Sequence, residues 1–187
     1  MDVKELALKL AENPTNVESN FNLATAYEEQ KQYASAAGFY LRAAEYGYKT
    51  HPLITYTSLL KMVLCWSTQG DRNRTVYNNL MQAIAYLPNR PEAYFILARI
   101  KERNKEYQEC YTYAELGLLF ATNAFNQPLP GYVDYNGTYC LLFEKAVASW
   151  WLGRRDESKA LFHHLLDEYE MSQEYVGSCL NNLKLFN

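Results

Sequence analysis

A chain of 187 residues is long enough for one domain with a continuous core, and 49% hydrophobic with 21% charged residues is an ordinary globular composition, which excludes a disordered chain. The formal net charge of -3 excludes a nucleic-acid footprint, because such a footprint needs clustered positive charge to displace counterions. The 17 Tyr and 3 Trp are many for this length, and they serve equally well as helix-packing filler or as interface residues.

The amino end, MDVKELALKL, carries charges where a secretory signal needs an uninterrupted apolar core, and no stretch reaches the roughly 20 apolar residues of a membrane span. The expected compartment is a reducing cytoplasm, with no membrane partner. Residues 3–12 read as a short helix with Leu6, Ala7 and Leu10 on one face, ending near Asn13-Pro14. It is expected to cap an array, and an initiating Met before such a cap is the expected start of a complete chain. Residues 16–47 then place Leu23, Ala24 and Tyr27 on one helix and Ala36, Tyr40 and Ala43 on a second. Residues 52–87 repeat the plan with Leu59, Met62, Val63 and Trp66, a turn at Gly70-Asp71 with Asp71 as N-cap, and then Val76, Leu80 and Ala83.

Residues 90–120 form a third pair. Tyr94, Leu97 and Ala98 share one face, Glu102 to Lys105 form a polar break, and Tyr107, Cys110, Ala114 and Gly117 share the next face. Pro91 suits the first helical position and Glu92 the positive end of the helix dipole. Ala98, Ala114 and Gly117 are small enough for two helix axes to approach closely. Residues 119–137, rich in Pro, Gly and Asn, break the period and read as an insertion. A fourth pair at 138–169 carries Leu142, Ala146 and Ser149, a turn at Gly153, and Ser158, Phe162 and Leu165. A last helix at 172–186, with Tyr175, Cys179, Leu180 and Leu183, covers the apolar end.

The run Leu23-Ala24-x-x-Tyr27, followed by Ala36-x-x-x-Tyr40 and Ala43, resembles the tetratricopeptide repeat (TPR), and only Asn20 departs, standing where that repeat opens on tryptophan. The third pair follows the second by about one repeat length of 34 residues. The resemblance implies an all-α fold: a TPR-like right-handed superhelical solenoid of antiparallel helix pairs, one domain over residues 1–187, with an irregular insertion before the last repeat. From Arg90 onward the chain also resembles the helical tail of some nucleotide-sugar glycosyltransferases. The residues concerned are Arg90-Pro91-Glu92, Pro128 and Pro130, Leu142-Phe143-Glu144, Gly153-Arg154-Arg155-Asp156-Glu157 and Asn181-Asn182. That likeness implies an associated module and not the chemistry, since the D-x-D motif and the α/β transferase domain are absent from this sequence.

Catalytic and metal constellations are thin. His163 and His164 are adjacent and point ~100° apart on a helix, while His163 with Asp167 supplies two ligands and no complete site; His51 stands alone. Cys65, Cys110, Cys140 and Cys179 lie far apart among apolar positions and read as buried thiols. There is no phosphate loop of the G-x-x-x-x-G-K type and no serine with a visible base. Glu28 with Glu29, and Asp167 to Glu170, read as solvated faces. No enzyme activity, cofactor or metal is expected.

Binding is the expected role. In stacked hairpins the first helix of each pair lines the concave side. On this register the outward set is Phe21, Thr25, Glu28 and Glu29; then Phe95, Arg99, Glu102 and Arg103; then Phe143, Val147 and Trp151. Phe143, Val147 and Trp151 have a second reading, as packing against the insertion. Of Trp150 and Trp151 at most one can face the core. Phe21 and Thr25 stand where carboxylate-clamping repeats carry Lys and Asn, which counts against that mode. The expected function is a scaffold for protein or peptide binding. The second resemblance implies a glycosyltransferase or a glycan as partner, and a self-associating structural protein is the remaining alternative.

Overall fold

The computed structural model describes residues 2–70, 72–121 and 127–186. Among the described residues ten α-helices follow one another: α1 (Val3–Glu12), α2 (Val17–Glu29), α3 (Tyr33–Gly47), α4 (Pro52–Gln69), α5 (Asn73–Tyr86), α6 (Glu92–Arg103), α7 (Tyr107–Ala121), α8 (Thr138–Trp151), α9 (Arg155–Glu168) and α10 (Gln173–Leu183), with a 3-10 turn at Lys184–Phe186. The expected N-cap at Asp71 lies outside the described residues. There is no strand among the described residues.

The chain packs as two compact units. The first runs to Pro88 and takes in the segment ending at Val133; the second starts at Asn89 and resumes at Asp134. Within the first unit α1 packs on α2, α2 on α3, α3 on α4 and α4 on α5, and α2 also touches α4. The second unit repeats this order: α6 on α7, α7 on α8, α8 on α9 and α9 on α10, with α6 touching α8. In each unit, then, every helix packs on its neighbour in sequence, and first helices touch first helices.

The local reasons are legible residue by residue. Asn16 caps α2, accepting from the Ser19 backbone N–H at 2.8 Å. Pro52 opens α4, where its missing N–H leaves nothing unpaired. Three helix-to-helix turns share one design. Lys31, Lys105 and Gly153 all take a positive φ (59°, 62° and 78°), and each donates its N–H to the carbonyl three residues back, on Glu28, Glu102 and Trp150. The following residue donates to the carbonyl five back, on Tyr27, Lys101 and Ser149. A left-handed residue followed by this pair of bonds closes the first helix and redirects the chain into the second.

The cores follow the spacing read from the sequence. Ala24, Ala36, Tyr40, Ala43, Met62 and Cys65 form one buried cluster of the first unit. Ala98, Cys110, Tyr111, Ala114 and Ala148 form one cluster of the second, and Leu142, Ala146, Phe162, Leu165 and Cys179 another. At Gly117 α7 approaches its neighbours closely: a Cβ there would lie 2.8 Å from a Leu141 methyl and 3.0 Å from the Tyr94 Cβ. Trp150 is half-buried, edge-on to Phe186 at 4.6 Å, while Trp151 is 59% exposed.

Candidate functional site

In the first unit the wall made by α2 and α4 carries Phe21, Thr25, Glu28, Thr57 and Lys61, of which Phe21 and Thr57 are buried. Thr25, Glu28 and Lys61 are tied together with the help of Tyr40, while Thr57 donates to the Leu53 carbonyl of its own helix. Lys61 donates to Glu28 at 3.0 Å, the Tyr40 hydroxyl donates to the other Glu28 oxygen at 2.5 Å, and Thr25 Oγ1 lies 3.2 Å from that hydroxyl. Burial, reinforced by the Glu28 carboxylate, raises the Tyr40 phenol well above its ordinary range, so it stays a donor. The same two causes push the Cys65 thiol up to about 12. Glu29 is exposed beside the turn.

Phe21 departs from the expectation of an outward-facing ring: it is 6% exposed and edge-on to Tyr40 at 5.6 Å. Its cover is the chain itself. The segment ending at Val133 belongs to this unit, and a Cβ on Gly131 would stand 3.4 Å from Phe21 Cζ, 3.3 Å from Lys61 Cε and 3.5 Å from Thr57 Cγ2. The wall expected to be free therefore has part of the insertion seated on it.

The second unit shows a related correction. Phe95 is fully buried, with its ring 5.6 Å from that of Tyr135. Arg99 lies over the Phe95 ring at 5.9 Å and 3.9 Å from Asp134. Glu102 is half-buried and Arg103 exposed at the end of α6. Phe143 is half-buried edge-on to Phe162 and Tyr175, at 5.9 and 5.1 Å, so it packs against α9 and α10. Val147 belongs to the same cluster. Trp151 stacks on Tyr107 at 5.1 Å with the rings 8° from parallel, leaving its other face open.

Glu144 was not among the expected site residues. It sits one residue from Phe143 on α8, is 5% exposed, and has the charges of Glu102, Arg99 and Arg103 around it. Burial first, and the Glu102 carboxylate second, push its carboxyl up to about 7 against the pull of the two arginines. The sequence signal was present: a lone carboxylate inside the apolar run Cys140-Leu-Leu-Phe-Glu-Lys-Ala-Val.

Elsewhere in the second unit, Lys145 links Glu115 at 3.2 Å and Glu157 at 3.3 Å, and the Tyr111 hydroxyl donates to Glu157 at 2.8 Å. Burial opposes ionisation of Glu157, but these donors outweigh it and hold the carboxyl below its ordinary range. Beside this network an open groove is lined by Thr112, Glu115, Leu116, Leu118, Leu119 and Lys145. His164 packs edge-on to Tyr169, and His51 Nδ1 pairs with Thr50. Among the described residues no three His, Cys, Asp or Glu side chains come together as a metal site, and no helix is long and apolar enough to cross a membrane. The four cysteines are free and buried.

The tetratricopeptide-repeat family matches residues 7–37, which run from the middle of α1 through the Asn16 cap and α2 into the start of α3. No curated protein matches. Among solved structures the chain is similar to MamA (TM-score 0.67, 16% identity, 88% of this chain and 85% of that one). It is similar to PilF of Pseudomonas aeruginosa (0.67, 17%, 95% and 72%) and to TTC0263, a thermophilic TPR protein of Thermus thermophilus (0.60, 14%, 97% and 89%). None of these three is named as a glycosyltransferase. The fold is that of a TPR-like helical solenoid, with the repeat sequence itself matched over residues 7–37.

Proposed function

We propose that the chain is a non-catalytic scaffold that binds a protein or a peptide along the outward faces of the first helices of its repeats. The observation supporting this reading most directly is that one such face already takes a non-helical peptide segment: the backbone at Gly131 lies against Phe21, Thr57 and Lys61. In the second unit the accessible groups at the end of the first helices are Glu102, Arg103 and Trp151, an acid, a base and an open ring face. That mixture supplies contact area from the aromatic and register from the charges. Thr25, Glu28 and Glu29 offer the same kind of polar edge in the first unit, and Arg99, 3.9 Å from Asp134, offers it in the second. The resemblance of the second half to glycosyltransferase tails supports a nucleotide-sugar transferase as the first partner to test.

The test is affinity capture from the native host with the whole chain, followed by crosslinking to map contacts. The reading expects one enriched protein partner whose recovery falls at least about tenfold with Arg103→Glu or Trp151→Ala, as for central interface residues. Recovery unchanged in both variants, with crosslinks confined to the second helices, would refute it. A glycan-array signal lost in Trp151→Ala would instead assign the ring face to sugar stacking, and a concentration-dependent dimer in sedimentation would assign it to a second copy.

A further inference from the structure

The seat around Gly131 has a built character. Its floor is Phe21, fixed edge-on against Tyr40. Its polar rim is held from within the unit: Lys61 by Glu28, and Glu28 by Tyr40, which Thr25 flanks. These side chains keep their positions through one another, so the seat is shaped before anything occupies it. The occupant, Gln127-Pro128-Leu129-Pro130-Gly131-Tyr132-Val133, is suited to docking without helix or strand. Two prolines fix φ and lower the entropy lost on ordering the segment. At Gly131 a Cβ would already touch three side chains, Lys61 Cε tightly at 3.3 Å and Phe21 Cζ and Thr57 Cγ2 at ordinary contact distances of 3.4 and 3.5 Å, so the crowding begins beyond a Cβ. Val133 is 3% exposed and Tyr132 60% exposed.

We infer that the α2–α4 wall is a docking groove for proline–glycine peptides, that residues 127–133 are its intramolecular occupant, and that a partner engages it with a segment of the same chemistry: Pro-x-Pro-Gly, non-helical, with an apolar residue two places after the glycine. This rests on the binding-wall reading above and narrows the partner. The selectivity has a physical source. A side chain longer than a methyl at the glycine position must push on Phe21, which is fixed by Tyr40, or on Lys61, which is fixed by Glu28. Occupation in cis also sets a threshold for entry. A tethered segment faces its own seat at an effective concentration on the order of millimolar, so a free peptide of intrinsic Kd near 0.1 mM binds about tenfold more weakly while the tether is in place. A natural partner must exceed that, through added contacts or several copies of the motif.

The experiment uses the whole chain and a fluorescein-labelled peptide, QPLPGYV, followed by polarisation. Gly131→Leu puts a branched side chain where a Cβ alone already touches three neighbours, and it is expected to unseat the segment. Hydrogen exchange over residues 127–133 reads the unseating, and circular dichroism reads retention of the helices. The expected result is binding to Gly131→Leu at least about tenfold tighter than to the native chain, lost when the probe's Gly is replaced by Leu and lost again in Gly131→Leu with Phe21→Ala. A second variant, Pro128→Gly with Pro130→Gly, loosens the segment without adding bulk and is expected to move affinity in the same direction. Fast exchange at 127–133 with helices intact and no probe binding overturns the inference, as does a Leu-bearing probe that binds equally well. Dimers of Gly131→Leu that the probe disperses assign the seat to a second copy and overturn the partner assignment. Partner capture that still depends on Arg103 and Trp151 while the probe fails leaves the scaffold reading standing and removes this one alone.

Discussion

Glu144 shows what a single residue can decide. Its carboxyl is almost sealed on α8, and desolvation there outweighs the two arginines of α6, so its folded value of about 7 stands above the ordinary 4.5. The folded chain therefore holds a proton that the unfolded chain releases between those limits. The protonated group costs folding little, and a penalty grows as pH rises through about 4.5 to 7, complete above it and on the order of 3 kcal/mol at most. Glu144→Gln removes the charge and keeps the shape. Its melting temperature should exceed that of the native chain at pH 8, and the difference should shrink as pH falls to 4.5. Parallel melting curves for the two chains across that range would contradict the assignment. Other residues carried their roles less openly. Phe21 and Phe95 fall at wall positions by spacing alone, yet both rings are buried. Spacing tells which face a residue joins; it does not tell what lies on top of that face.

Between elements, the three matching turns are the clearest case of sequence dictating geometry. Each requires one residue in the left-handed region, where an L side chain crowds the following carbonyl at a cost of about 1 kcal/mol or more. Gly153 meets that requirement without strain, whereas Lys31 and Lys105 bear it at φ 59° and 62°. Lys31→Gly and Lys105→Gly should each stabilise their unit by about 0.5 to 1 kcal/mol after the greater freedom of glycine in the unfolded chain is counted, and Gly153→Ala should destabilise by about 1 kcal/mol. Urea midpoints at constant m-value check all three; a loss of stability in either Lys variant would mean that the lysine contributes contacts that outweigh its strained backbone. The turn before Lys105 was legible as the polar break Glu102 to Lys105, and Gly153 as a helix stop. Helix faces were legible for the same reason, since Leu23, Ala24, Ala36, Tyr40 and Ala43 repeat at the spacing that burial demands. The insertion was legible only as a departure from that period. A segment such as Pro128 to Val133 has no periodicity, and its seat depends on contacts with α2 and α4 about 70 to 110 residues earlier in the sequence, where no local rule operates.

At the scale of the whole molecule, the two units invite separate measurement, and the cysteines allow it. Cys65 lies in the first unit; Cys110, Cys140 and Cys179 lie in the second, all free and buried. Burial raises every one of them: Cys65 to about 12, Cys179 to about 11, and Cys110 and Cys140 also above the usual thiol range, the former with added repulsion from Glu144 and Glu102. Only the thiolate reacts, and only when a helix pair opens, so modification at pH 8 is controlled by opening rather than by the thiol itself. The native chain should react at least about 100-fold more slowly than the denatured chain, in which all four thiols become available. A variant keeping Cys65 alone, with the other three replaced by Ala, then reports opening of the first unit, and one keeping Cys110 alone reports the second. Because stacked helical hairpins gain stability from intrinsic and nearest-neighbour terms, the two rates should differ and should respond differently to local changes. Leu60→Ala, which removes a fully buried side chain of α4, should accelerate Cys65 far more than Cys110, and Leu141→Ala the reverse. Equal acceleration of both thiols by either substitution would mean that the chain opens all at once, and that its two units share one cooperative transition.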